Sequence, residues 1–163
     1  MIVVLMGVSG SGKTTIGTLL AARMHAVFAD ADEYHSAENK AKMARGHALN
    51  DEDRQPWLET LNRLLLEWLN GDKDGVLACS ALKETYRKTL TGEIPEGSCE
   101  FVLLDGSKKL ISERLAQRQN HYMSPTLLDS QLATLEAPVN ALRVVNDRPP
   151  EEVVDEILQH LEA

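Results

Sequence analysis

The sequence predicts a three-layer α/β/α sandwich built on a five-stranded parallel sheet, in a single domain over residues 1–163. Three observations carry that prediction. Short apolar runs recur five times, at 1–6, 26–29, 76–79, 99–104 and 141–145, with segments of helical spacing between them. Strands that alternate with helices build a parallel sheet covered on both faces. The first run, Met1-Ile2-Val3-Val4-Leu5-Met6, has no polar position, as a strand buried on both faces requires. Directly after it stands Gly7-Val8-Ser9-Gly10-Ser11-Gly12-Lys13-Thr14, which meets G-x-x-x-x-G-K-[ST] at every fixed position.

That glycine-rich stretch joins a strand to a helix, since Ile16, Leu19, Leu20 and Met24 follow at helical spacing. The placement is what its chemistry needs. Glycines reach positive φ, which turns successive backbone N–H groups inward. Those groups and the helix N-terminus make a concave anion site. Lys13 adds a mobile positive charge for β- and γ-phosphates, and the Thr14 hydroxyl suits Mg²⁺, which prefers oxygen ligands. The expected nucleotide-binding set is Gly7, Val8, Ser9, Gly10, Ser11, Gly12, Lys13, Thr14 and Thr15. The competing reading is a glycine-rich turn with an incidental Lys-Thr; the strand-then-helix context argues against it.

Ala26-Val27-Phe28-Ala29 reads as the second strand, ending in Asp30-Ala31-Asp32 and then Glu33-Tyr34-His35. Working residues of open parallel sheets gather at the carboxyl ends of strands. Two acids spaced i, i+2 there can face one pocket; the alternative is a solvated acidic cap. Ser36 to Gly46 looks like a short helix, capped by Ser36 and closed by Gly46. Acids at 51–53 suit a helix N-terminus, and Pro56 is tolerable only near a first turn. Trp57, Leu61, Leu64, Leu65, Trp68 and Leu69 form one apolar stripe, which reads as core and not as a stacking platform for bases. Gly71 ends that helix.

The third strand, Val76-Leu77-Ala78-Cys79, carries Ser80 to Lys83 at its carboxyl end. Lys83 and Arg87, four apart, can share one helix face and suit an anionic substrate; a solvated face is the alternative. Residues 92–97 are a loop, and 99–104 are the fourth strand. Ser107 caps a helix with Leu110, Ile111, Arg114, Leu115 and Arg118 at helical intervals. The polar stretch about 117–126 interrupts the pattern and reads as a lid. Arg114 and Arg118 point toward it, placed to stabilise charge on a transferring phosphoryl group. Pro125 starts the next helix, 141–145 are the fifth strand, and a last amphipathic helix holds Val153, Val154, Ile157, Leu158 and Leu161.

Composition sets outer limits. With 43% hydrophobic and 26% charged residues, the chain is ordinary globular material. The formal net charge of −8 argues against a nucleic-acid surface, which needs a basic face. No apolar run approaches the roughly 20 residues that cross a bilayer, so no membrane association is expected. Two cysteines, Cys79 and Cys99, and no signal peptide suit a reduced cytoplasmic setting better than a disulfide.

Three phosphate-loop classes compete. A GTP-dependent switch needs a guanine-reading N-K-x-D; Asn39-Lys40-Ala41-Lys42 lacks the aspartate. Asp72-Lys73-Asp74-Gly75 imitates D-x-x-G but precedes the third strand. A motor or transporter ATPase places an aspartate at the end of a later strand, where this chain has Cys79-Ser80. A small kinase needs a substrate-binding segment after strand two, here about 32–58, and an arginine-bearing lid. Both are present.

At this point the chain resembles the gluconokinases of the shikimate-kinase-like group. The similar stretches are Leu5 to Lys13, Asp30 to His35, Leu49-Asn50-Asp51-Glu52-Asp53-Arg54-Gln55-Pro56-Trp57-Leu58, Cys79-Ser80-Ala81-Leu82-Lys83 with Tyr86-Arg87, Arg114-Leu115 with Arg118 and His121, and Ser130 to Pro138 in part. Ala31 stands where the family has glycine, and Tyr122 where phenylalanine is common. The resemblance implies transfer of the ATP γ-phosphoryl group to the 6-hydroxyl of D-gluconate, with ATP and Mg²⁺ as cofactors, and a homodimer. The other substrates in view are shikimate, or a nucleoside or its monophosphate. Roles follow from the chemistry of each step. Lys13 and the loop amides hold the phosphates. Thr14 ligates Mg²⁺, which Asp30 reaches through water. Asp32 accepts a hydrogen bond from the attacking hydroxyl, and either takes its proton or only orients it. Arg118, with Arg114 as helper, closes over the phosphates. Arg54 is the first choice for the substrate carboxylate, because guanidinium binds it bidentately; Lys83 and Arg87 are the others. His35 either contacts substrate hydroxyls or packs at a helix start.

Overall fold

The computed structural model describes residues 1–8, 10–81, 83–117, 125–136 and 141–162. Five parallel strands form one sheet: β1 (Ile2–Met6), β2 (Val27–Asp30), β3 (Gly75–Ala78), β4 (Cys99–Asp105) and β5 (Leu142–Val145), in the order β2-β3-β1-β4-β5. β1 is central, and every residue of it is buried. Leu5 lies opposite both Ala78 and Val102, so the carboxyl ends of β1, β3 and β4 open on one edge. From β1 the chain runs outward to β2, whereas from β3 it crosses back to β4. The strand order therefore reverses beside β1, and a crevice opens there at the carboxyl ends.

The helices sort onto two faces by the period of the strands. α1 (Lys13–Met24) and α7 (Pro150–Glu162) bury Ile16, Leu20, Val153 and Ile157 against Val3, Leu5, Val76 and Val144. α3 (Asp51–Asn70) and α4 (Glu84–Leu90) bury Trp57, Leu61, Leu65 and Leu90 against Ile2, Val4, Met6 and Leu77. The predicted sandwich is what the chain forms, and the Trp57-to-Leu69 stripe is core. Between β2 and α3 lie a 3₁₀ turn (Ala31–Tyr34) and α2 (Ala37–Ala44), capped by Ser36 as expected. α5 (Lys108–Gln117) and α6 (Pro125–Thr134) are the remaining helices among the described residues.

Several boundaries differ from the sequence reading. β2 runs Val27–Asp30, not 26–29, so Asp30 is itself a strand residue. β3 starts at Gly75, and β4 continues to Asp105. α3 begins at Asp51, with the acids at 51–53 in its first turn as expected, but it leaves Pro56 in its second turn. A reciprocal cap decides that start. The Asn50 side chain accepts from the Asp53 N–H at 2.7 Å, and the Asp53 carboxylate accepts from the Asn50 N–H at 2.9 Å. With Asp51 and Glu52 also in the first turn, the helix dipole is well matched. Pro56 removes a single N–H whose partner, the Glu52 carbonyl, is on an exposed residue where water can replace it.

The expected lid falls mostly outside the described residues: 118–124, which include Arg118, His121 and Tyr122, are not described, and neither is Ser9. Its flanking helices, α5 and α6, are where the sequence puts them. Among the described residues, no helix is long and apolar enough to cross a membrane. Cys79 and Cys99 are free thiols.

Candidate active site

The phosphate loop follows the buried β1 and turns by means its glycines alone allow. Gly12 caps α1 at φ 98°. A Cβ there would stand 2.2 Å from Asn146 Nδ2, so side chain and conformation are both excluded. At Gly7 a Cβ would lie 2.8 Å from the Leu104 carbonyl oxygen. Lys13 crosses the loop and donates to the carbonyls of Gly7 at 2.8 Å and Val8 at 3.0 Å. Its ammonium is therefore parked at the rim where a phosphate would compete for it.

Asn146, just past β5, braces the loop from the side. Its Nδ2 donates to the Ser11 carbonyl at 2.8 Å, its N–H donates to Asp105 O at 2.9 Å, and its own carbonyl accepts from Arg114 Nη2 at 2.6 Å. Arg114 is thus fixed beside Gly12. Its Nη1 and the Ser11 hydroxyl are buried with no hydrogen-bond partner among the described residues. Buried donors of that kind are costly unless a ligand meets them. A cavity of about 310 Å³ opens at this place, lined by Gly10, Gly12, Thr15, Arg114, Asn146 and Arg148 among others.

The end of β2 approaches the loop on the other side. Thr14 Oγ1 donates to Asp30 Oδ2 at 3.0 Å, and Asp30 Oδ1 accepts from the Asp32 N–H at 3.0 Å. Asp30 caps the 3₁₀ turn, which fixes its carboxylate, and Asp32 is exposed. Asp30, Asp32 and Lys13 all act electrostatically on the Cys79 thiol, at the end of β3. Burial foremost pushes that thiol up to about 12, so it stays protonated and takes no part as a nucleophile.

α3 is clamped to this corner. Trp57 Nε1 donates to the Ala31 carbonyl at 2.7 Å, and His35 stacks on the Trp57 ring with centroids 4.1 Å apart. His35 is buried, and burial, then the Arg54 and Lys40 charges, lower its pKa to about 4. Its ring is neutral at physiological pH. Of the two contacts the sequence leaves open for His35, the packing one is present.

A cleft of about 520 Å³ lies between the start of α3 and the start of α4, lined by Asn50, Asp51, Arg54, Lys83, Tyr86 and Thr134 among others. Arg54 Nη1 donates to Leu49 O at 2.7 Å and to Tyr86 Oη at 2.9 Å. Tyr86 in turn donates to Asp51 Oδ1 at 2.5 Å, and Lys83 Nζ reaches the same oxygen at 3.3 Å. Both cations also sit over the Tyr86 ring, at 5.2 Å for Arg54 and 5.5 Å for Lys83. Burial and the Asp51 bond raise the Tyr86 pKa. The Tyr86 and Lys83 hydrogen bonds hold the exposed Asp51 carboxyl below its usual range. Arg87 turns inward: it is buried, and Nη1 donates to Ala81 O at 2.8 Å. So Lys83 and Arg87, expected to share one face, separate. Lys83 is the N-cap residue at the rim, whereas Arg87 supports the end of β3 beneath it.

The phosphate loop, the two acids at the end of β2 beside it and the cationic cleft between α3 and α4 define a P-loop phosphotransferase. Comparisons with known proteins agree. The shikimate kinase family matches residues 9–162. A probable gluconokinase of Dictyostelium discoideum is 52% identical over 86% of this chain and 72% of its own length. The gluconokinase of Gluconobacter oxydans is 42% identical over 98% of this chain and 90% of its own. Among solved structures, a gluconokinase from Sinorhizobium meliloti superposes with a TM-score of 0.85 at 40% identity, covering 98% of this chain and 90% of that one. The chain belongs to the shikimate kinase family and, within it, to the gluconokinases. As a P-loop kinase it uses a nucleotide.

Four residues of the site escaped the sequence reading: Asp51, Tyr86, Trp57 in its clamping role, and Asn146. Asn146 carried a usable signal, a polar residue at the carboxyl end of the last strand. Tyr86 carried a signal only as part of the Cys79-to-Arg87 stretch that resembles the family; taken alone, a tyrosine on a helix looks like core until its hydroxyl is seen to meet Asp51 and Arg54.

Proposed function

We propose that this enzyme transfers the γ-phosphoryl group of ATP to the 6-hydroxyl of D-gluconate, giving 6-phospho-D-gluconate and ADP. The observation that carries the reading is the convergence of Arg54 and Lys83 on one cleft, beside a helix that Trp57 ties to Ala31, between Asp30 and Asp32. An aldonate has a carboxylate at one end and a terminal alcohol at the other, and the two halves of the site suit those two ends. Relatives named gluconokinase at 42–52% identity support the same substrate.

The loop amides and Lys13 bind the β- and γ-phosphates, with Arg114, which lines the adjoining cavity, as helper. The cavity lined by Thr15, Arg114 and Arg148 takes the nucleoside side of ATP. The Thr14 hydroxyl and the Asp30 carboxylate, 3.0 Å apart, are oxygen donors of the kind Mg²⁺ takes while keeping its waters. When bound, Mg²⁺ neutralises charge on the β- and γ-oxygens. Asp32 accepts a hydrogen bond from the attacking hydroxyl and orients it. As a carboxylate it is a weak base, so positioning dominates. Arg54 holds the substrate carboxylate with Lys83. Arg87 acts from beneath by holding Ala81, and His35 by keeping Trp57 in place. Arg118 closes over the phosphates from the lid, expelling water as it does. The resemblance further supports a homodimer, which sedimentation equilibrium tests, and a cytoplasmic location.

A coupled ADP-release assay across gluconate, shikimate, other aldonates and nucleoside monophosphates tests the proposal. Gluconate is expected to give the highest kcat/KM. A higher value for shikimate or a nucleoside monophosphate would overturn the substrate assignment.

A further inference from the structure

The cationic cleft already contains an anion of its own. Asp51 is the first residue of α3, and its side chain is 65% exposed. Nothing about the helix requires its carboxylate to turn into the cleft, because Asn50 and Asp53 already supply the cap. It nevertheless reaches the Tyr86 hydroxyl at 2.5 Å and Lys83 Nζ at 3.3 Å. The same Tyr86 oxygen accepts from Arg54 Nη1. One carboxylate oxygen therefore engages two of the three groups that line the anion-binding end, and reaches the third through a single hydroxyl.

We propose that Asp51 is an internal carboxylate that occupies the anion-binding end of the cleft and is exchanged for the substrate carboxylate on binding. The inference rests on the gluconate reading of this cleft. The exchange keeps Arg54 and Lys83 ordered without substrate, but the substrate must displace a charge to bind, and that competition outweighs the gain from ordering. It also sets specificity. A sugar acid replaces the Asp51 bonds with equivalent ones, whereas a neutral polyol would displace Asp51 and leave the cations unpaired. Release needs only a side-chain rotation at an exposed first-turn position, and the backbone of α3 stays where its cap holds it. Tyr86 is then a positioning residue, the hinge point on which both carboxylates pivot.

The test is steady-state kinetics on Asp51→Asn, with Asp51→Ala as a second variant. Both are at an exposed N-terminal helix position, so the fold is expected to persist, as circular dichroism would verify. Removing the competing charge is expected to lower KM for gluconate by roughly three- to tenfold and to leave KM for ATP unchanged. Competitive inhibition by glycolate, a carboxylate without the sugar chain, is expected to tighten in parallel. A gluconate KM that is unchanged or raised in both variants would overturn the exchange, and a rise would instead make Asp51 a ligand of substrate hydroxyls. Failure of the substrate reading looks different: the unaltered enzyme would then release no ADP with gluconate.

Discussion

Lys13 illustrates how a single side chain at this site is constrained by what it touches. Lys13 is held on two loop carbonyls at 2.8 and 3.0 Å, an arrangement that keeps the charge beside the phosphate cradle. Lys13→Ala is expected to lower kcat/KM by at least about 100-fold while the melting temperature stays within a few degrees; near-normal turnover would remove the role assigned to the loop. Asp32→Asn keeps the shape but weakens the acceptor for the attacking hydroxyl. The expected result is a kcat about 100-fold lower with both KM values little changed, and an unaltered kcat would rule out that contact. Arg54→Ala is expected to raise KM for gluconate about 10- to 100-fold, with a far smaller effect for ATP.

His35 adds a pH dependence that belongs to the same scale. Its folded pKa, about 4, lies below the ordinary 6.5 because the ring is buried beside Arg54 and Lys40. The unfolded chain binds the proton first. Its contribution to stability is therefore whole above about pH 6.5, declines as pH falls toward 4, and does not decline further below that. Urea unfolding of the wild type and of His35→Gln across pH 4–7 reads this. The wild type is expected to lose on the order of 2 kcal/mol more than the variant over that window; parallel pH profiles would show the ring titrating normally.

At the scale of an element, α3 links stability to substrate binding. Its cap fixes the first turn, which carries Asp51 and Arg54 to the cleft; its buried face anchors through Trp57 to the turn that bears Asp32. Asn50→Ala removes the cap and is expected to cost about 1 kcal/mol of stability. Because the loosened turn holds Arg54, KM for gluconate is expected to rise while KM for ATP does not. Thermal unfolding and two-substrate kinetics on the same sample check both halves, and an equal change in the two KM values would uncouple α3 from the cleft. The extent of this helix was only half legible. Its apolar stripe and the acids that open its first turn stand out in the sequence, but Pro56 lies one turn deeper than expected, tolerated because the carbonyl it leaves free is on the exposed Glu52.

For the whole molecule, the strand order β2-β3-β1-β4-β5 brings together pieces that are distant in sequence. Asn146 meets Ser11 across the sheet edge, and Arg54 meets Tyr86 across two helices. A nucleotide that bridges the loop, Arg114 and Arg148 is expected to stabilise the entire fold. At 100 times its Kd, a non-hydrolysable ATP analogue should add about 2.7 kcal/mol, read as a rise of several degrees in melting temperature. Gly12→Ala, with its Cβ driven against Asn146, is expected to abolish that rise.

The chain order of apolar runs and the glycine-rich stretch were enough to determine the sandwich, the phosphate loop and the acids after β2, because these depend on local periodicity and on backbone conformations that few residues permit. Tertiary structure alone decided which cations face the cleft and which support it. Lys83 and Arg87 have equal claims by spacing. Packing buries one under Ala81 and leaves the other at the rim, since burial is set by what lies opposite a helix and not by the helix's own sequence. It likewise brought Asp51 and Tyr86 together in the cleft, through contacts between segments that share no local pattern.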